Sequence, residues 1–145
     1  MLRSLITVLL AATAVAALTP GPATAGSRGI TISARGSAYG TVLFDGSGRA
    51  LYAFTKDARN RSRCFGACAA AWPVAYTGGR PRAGAGVRAR LLGSIARRGG
   101  GRQVTYGGRP LYYYVDDGVG QIRCQNVAEF GGTWLVVRGS GALVR

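Results

Sequence analysis

The chain contains no histidine. That absence removes the Ser-His-Asp and Cys-His nucleophile pairs, imidazole metal ligation and covalent haem attachment, each of which needs an imidazole. Lysine occurs once, as Lys56, and no Ser-x-x-Lys arrangement contains it, so lysine-activated serine chemistry is missing as well. Three cysteines, at 64, 68 and 124, fall short of the four-ligand zinc spacing. The sequence therefore predicts no catalytic constellation, no enzyme activity and no cofactor. Acidic residues are scarce too, five against nineteen basic ones for a net charge of +14, and every basic residue except Lys56 is arginine.

Long apolar runs are also absent. The longest, residues 4–18, spans 15 residues, short of the roughly 20 that cross a membrane. It follows Met1-Leu2-Arg3 and precedes Ala23-Thr24-Ala25, which together form the charged start, apolar stretch and small-x-small site of a cleaved secretory leader. Residues 1–25 are read as that signal peptide, with no transmembrane span after cleavage. No cysteine lies near the site, so the mature chain is expected to be secreted or held in the cell envelope without a lipid anchor.

What is present is a repeat. Leu51-Tyr52-Ala53-Phe54-Thr55-Lys56-Asp57 returns as Leu111-Tyr112-Tyr113-Tyr114-Val115-Asp116-Asp117, and the same shift of 60 superposes Gly48-Arg49 on Gly108-Arg109 and Arg63-Cys64 on Arg123-Cys124. With 145 residues there is room for one domain. The reading is a flexible segment over 26–36, then one domain over 37–145 made of repeats at about 37–76 and 87–138.

Strands are expected at 30–34, 41–44 and 50–55, with Asp45-Gly46-Ser47-Gly48 as the hairpin turn. The second copy repeats this with 103–106, the turn Gly107-Gly108, and 110–115. Alanine-rich residues 64–72 predict two turns of helix stopped by Pro73. A linker spans 77–86, followed by a strand over 87–96 with helix as the alternative, the turn Gly99-Gly100-Gly101, a hydrophobic strand over 133–137 and an edge strand over 142–144. The fold class is mainly β, with one or two short helices and two degenerate antiparallel hairpin repeats.

Tyr52, Phe54 and Asp57, with Tyr112, Tyr114 and Asp117, match the tyrosine-x-aromatic-x-x-aspartate signature of a family of secreted bacterial repeat proteins and lipoproteins. The block around Cys64-Phe65-Gly66-Ala67-Cys68-Ala69-Ala70-Ala71-Trp72-Pro73 and the segment Gly131-Gly132-Thr133-Trp134 resemble that family too, over residues 37–138. The resemblance implies an envelope or extracellular setting and paired cysteines. It implies no reaction, because the family has no established biochemical function.

In a strand, Tyr52 and Phe54 share one face, as do Tyr112 and Tyr114. These rings are expected to form the core where the repeats meet, and a stacking platform for sugars or quinones is the alternative, which needs exposed rings. Asp57 and Asp117 are expected to accept hydrogen bonds from amides or tyrosine hydroxyls and so fix their turns. The sharper alternatives are a paired acid-base site, or a calcium site using Asp116 and Asp117.

Were residues 64–68 helical, the Cys64 and Cys68 α-carbons would lie about 6 Å apart, within reach of a disulfide. A bridge from either residue to Cys124 competes with this local pair. The resemblance and the secreted setting favour the local pair. A leftover thiol opens three readings: redox exchange, a trigonal Cu(I) or zinc site from Cys64, Cys68 and Cys124, or a buried free thiol. Arg63 and Arg123 precede Cys64 and Cys124 and would lower a thiol pKa if they folded over it.

Arginine at this density favours planar polyanions through bidentate hydrogen bonds. The first functional reading is a non-catalytic envelope or extracellular module that binds an anionic polymer or lipid surface, with nucleic acid the less expected partner. A generally basic solvated surface is the plain alternative. From a different class comes a thiol redox or soft-metal protein acting through Cys64, Cys68 and Cys124.

Overall fold

A computed structural model describes residues 28–145, so the signal-peptide assignment and the first two residues of the 26–36 segment lie outside the described residues. The elements in chain order are β1 (Thr31–Ser37), β2 (Gly40–Asp45), β3 (Tyr52–Phe54), α1 (Ala67–Ala71), β4 (Tyr76–Thr77), β5 (Arg82–Ala83), a 3-10 turn at Ala89–Leu91, β6 (Leu92–Ala96), β7 (Arg102–Tyr106), β8 (Arg109–Pro110), β9 (Val127–Glu129) and β10 (Gly132–Val136). The protein is mainly β, as the sequence predicts, with a single short α-helix among the described residues.

Both repeats begin with an antiparallel hairpin in the same register. Ala34 faces Leu43 in the β1–β2 pair, and Ser94 faces Val104 in β6–β7. The first turn out of β2 is built on Asp45, whose Oδ1 accepts from the Ser47 amide at 2.9 Å, the Ser47 hydroxyl at 2.7 Å and the Arg49 amide at 2.9 Å. Burial alone pushes the Asp45 carboxyl up, but these bonds, with one from Tyr113, outweigh it and hold the group below the usual aspartate range. In the second repeat the corresponding turn is Gly107-Gly108, one residue shorter, with φ of 58° and 78°, a conformation open to glycine at no steric cost.

The closing segments are exchanged between repeats. Residues after α1 pair with the second repeat: the Ala75 amide donates to the Leu111 carbonyl at 3.1 Å, and the Val104 amide donates to the Ala75 carbonyl at 2.9 Å. Strand β10, which ends the second repeat, pairs with β3 of the first, Trp134 facing Phe54 and Val136 facing Tyr52. At the centre the repeat-equivalent residues Tyr52 and Tyr112 bond reciprocally through their backbones, at 2.8 and 2.9 Å. A reciprocal antiparallel pair of equivalent residues is what a local twofold axis between the repeats requires.

The strands alternate their side chains between two cores. Tyr52, Phe54, Trp72, Val74, Tyr112, Trp134 and Val136 fill one cluster, while Leu43, Leu51, Ala53, Ala75, Val104 and Leu111 fill the other. Where the structure departs from the sequence reading, long-range bonds decide the outcome. The helix shrinks to Ala67–Ala71 because Gly66, at φ 57°, breaks the chain before it. Residues 87–96 split into the 3-10 turn and β6, since the Arg88 amide is taken by the Tyr106 hydroxyl at 2.8 Å. The 77–86 linker carries β5, which pairs parallel with β1, and Gly84 is required beside it: a Cβ there would lie 2.2 Å from Ser33 Oγ. Of the 110–115 strand, Pro110 belongs to β8 and Tyr112 forms isolated bridges. The 142–144 edge is a single bridge between Leu143 and Val137.

Candidate functional site

The motif tyrosines and aspartates form two crossed clasps. Tyr52 Oη donates to Asp117 Oδ2 at 2.5 Å, and Tyr112 Oη donates to Asp57 Oδ2 at 2.7 Å. Each aspartate's Oδ1 accepts a backbone amide, from Arg63 at 2.7 Å and from Arg123 at 2.9 Å. Each repeat's tyrosine is thus tied to the other repeat's turn. Burial raises the Asp57 carboxyl above its ordinary value, partly offset by the Arg63 amide, the Tyr112 hydroxyl and the charges of Arg97 and Arg63. Asp57 borders a cleft of about 190 Å³ with Arg59 and Arg109. Asp117, a buried residue, does not line that cleft.

Replacing Asp117 by alanine removes the acceptor for a buried hydroxyl and an amide at once. The expected loss is about 2–3 kcal/mol, because an orphaned buried donor loses its solvation as well as its bond. Adding Tyr52→Phe to Asp117→Ala should cost little more, since the orphaned hydroxyl is gone. A double-mutant cycle by urea unfolding reads this coupling, and additive losses would show that the clasp contributes no pairwise energy.

The rings of the motif are buried inside an aromatic column. Trp72 and Trp134 stack with centroids 4.0 Å apart and planes 1° from parallel, Phe54 stacks on the far side of the pair against Trp134 at 4.1 Å, and Tyr114 leans on Trp72 at 4.9 Å. Tyr52 and Tyr112 meet the two tryptophans edge-on at 5.2 and 5.1 Å. Tyr52 and Tyr112 are wholly inaccessible and Phe54 nearly so, so these three present no stacking platform. Tyr114 is half-buried, and the neighbouring Cys124 sulfur first, with the Asp116 carboxylate, holds its hydroxyl up to about 12. Trp72 Nε1 donates to Glu129 Oε2 at 2.8 Å, whereas Trp134 Nε1 is buried with no partner.

Cys64 and Cys68 are bridged, with α-carbons 5.3 Å apart, although Cys64 precedes the helix. The bridge between repeats is not formed, and Cys124 is a free, half-buried thiol. With two of the three sulfurs joined, no trigonal thiolate set is assembled, and no group of three or more metal-ligating side chains occurs among the described residues. Arg123 turns away from Cys124, its Nε donating to Gln121 Oε1 at 3.1 Å. Asp116 accepts the Tyr114 hydroxyl at 3.3 Å.

All five carboxylates, Asp45, Asp57, Asp116, Asp117 and Glu129, accept a hydrogen bond from a tyrosine hydroxyl or a tryptophan N–H. The protein's few negative groups are committed to its aromatic residues. Four arginines, Arg61, Arg63, Arg97 and Arg98, line a cleft of about 520 Å³, with Phe65 at its wall and no carboxylate in its lining. This cleft was not singled out from the sequence. Its signals were the closely spaced Arg61 and Arg63 and the Arg97-Arg98 pair after β6; Arg59 is carried to the other cleft by the turn at Ala58–Arg61.

The fold and site define a class: a small β protein of two tandem repeats, each closed by the other, with a carboxylate-clasped aromatic core. Residues 33–76 and 93–138 both match the family described as a secreted repeat of unknown function, and the chain belongs to that family. The matched spans start at the β1 and β6 hairpins and end at the exchanged closing segments. No curated protein and no solved structure matches the chain.

Proposed function

We propose that the protein is a non-catalytic secreted module that binds anionic polymers or surfaces through its arginines. The commitment of all five side-chain carboxylates to aromatic donors carries this reading, because among the described residues no arginine side chain donates a hydrogen bond to a carboxylate. Guanidinium groups are weakly hydrated and fork-shaped, so uncompensated arginines take up oxyanions readily.

The test is retention of the mature protein on an immobilised anionic polysaccharide across a salt gradient. Binding at low salt and release as the Debye length shrinks from about 10 Å at 0.1 M towards 3 Å at 1 M is expected. Alkylation of Cys124 should leave the profile unchanged. No retention at low salt would overturn the reading, and retention abolished by alkylation would replace it with a thiol-based one.

A further inference from the structure

We infer that the arginine cleft beside the disulfide is a discrete binding site for a tetrahedral oxyanion ester, a phosphate or sulfate carried on a sugar or polyol. This rests on the anion-binding reading above and narrows it to one site and one ligand chemistry. The cleft volume of about 520 Å³ lies in the range of small-molecule clefts, room for the ester group together with the sugar or polyol that carries it.

The cleft has a framework, Arg97, and three further guanidiniums whose side chains make no hydrogen bond among the described residues. Arg97 Nη1 donates to Ser62 Oγ and, at 3.2 Å, to Gln103 Oε1, and its Nη2 donates to the Cys64 carbonyl at 2.9 Å. Its guanidinium also lies 4.4 Å from the Phe65 ring centroid. Phe65 itself stands inside the loop closed by the Cys64–Cys68 bridge, 43% exposed, and the Arg98 guanidinium lies 5.6 Å from the same ring. So short a loop gains little chain entropy from its bridge; here the bridge instead fixes the ring that backs two guanidiniums.

Arg61, Arg63 and Arg98 are exposed, and their side chains make no hydrogen bond among the described residues. A carboxylate offers two oxygens, which one arginine fork satisfies. Three guanidiniums around one recess exceed that demand and match the three terminal oxygens of a phosphate or sulfate ester. Of the two large apolar side chains in its lining, Phe65 already supports guanidiniums and Ile95 is half-buried in strand β6. A flat lipid surface or a run of stacked bases needs apolar side chains free to insert or stack.

The experiment is calorimetric titration of the full protein with glycerol phosphate, a sugar sulfate ester and acetate, in wild type, in Arg63→Gln/Arg98→Gln, and in Arg82→Gln/Arg90→Gln as a control for lost charge. One-site binding of one or both esters, at least tenfold tighter than acetate, lost at least tenfold in the cleft variant and kept in the control, is expected. Which ester binds tighter assigns the source. Three results overturn the proposal: equal loss in both variants, acetate binding as tightly as the esters, or no binding of either ester. If the last is found while salt-sensitive polymer retention persists, the cleft fails and the broader anion-binding reading stands. Unchanged thermal unfolding of the cleft variant shows that any loss is local.

Discussion

Replacing Trp134 by alanine is expected to destabilise the protein by about 3–5 kcal/mol, the range for emptying a buried large aromatic site. Trp134 is fully buried and sits between Phe54 at 4.1 Å and Trp72 at 4.0 Å, with Tyr112 edge-on at 5.1 Å. Its loss opens a cavity where the repeats meet and breaks three aromatic contacts, each contributing about 0.5–1.5 kcal/mol beyond burial. Since small domains are stable by only about 5–15 kcal/mol, the variant gives up a large share of its total stability. Trp134→Phe should cost clearly less, because it keeps a stacking ring and deletes a buried N–H that has no partner. Chemical denaturation followed by circular dichroism checks both, and a loss below about 1 kcal/mol in the alanine variant would mean the site collapses without penalty.

Alkaline unfolding is the second large effect. Tyr52 and Tyr112 are fully buried, and burial first, with the Asp117 carboxylate next for Tyr52 and the Asp57 charge and bond for Tyr112, pushes both hydroxyls far above their ordinary value. Ser62 opposes the shift at Tyr112. The sign follows from linkage. A tyrosine whose folded pKa is raised contributes stability in full below its unfolded value near 10, and loses it as pH climbs above that value. Each buried tyrosine then removes about 1.4 kcal/mol per pH unit, so the pair steepens the loss to about 2.7 kcal/mol per unit. Tyr113 is raised by burial and by Asp45 as well, but it is only half-buried. Phenolate absorbance and circular dichroism, followed together through an alkaline titration, should change in one cooperative step. Ionisation of these tyrosines near pH 10 with the fold intact would overturn the prediction, and Tyr52→Phe with Tyr112→Phe should flatten the slope.

What was legible in the sequence was local or periodic. The period of two put Tyr52 with Phe54, the glycine turns marked both hairpins, and the shift of 60 exposed the repeat. The sequence could not choose the partner of each closing segment. Val74 and Val136 are equivalent β-branched residues, and either would fit beside Tyr52 or Tyr112; the structure pairs Val136 with Tyr52 and Val74 with Tyr112. Strand β9 was missed because its turn uses Phe130 at φ 56° before Gly131 at 80°, and an aromatic residue does not advertise a left-handed conformation. The arginine cleft joins residues 60–65 to 95–98, a juxtaposition that depends on Arg97 reaching Ser62 and Cys64.

The exchange of closing segments also governs when this chain can fold. Strand β3 of the first repeat meets Tyr112 only at Tyr52 and takes its full-length partner from β10, so the segment that completes it is synthesised some eighty residues later. Contacts of that separation require the loop-closure entropy to be met before they return any stabilisation, which slows folding. A chain emerging from a ribosome or a membrane pore from its N-terminal end can form the local β1–β2 hairpin early, but completes the ladder of its first repeat only when β10 arrives. For a secreted repeat, that order postpones the closing of the first repeat until late in its passage.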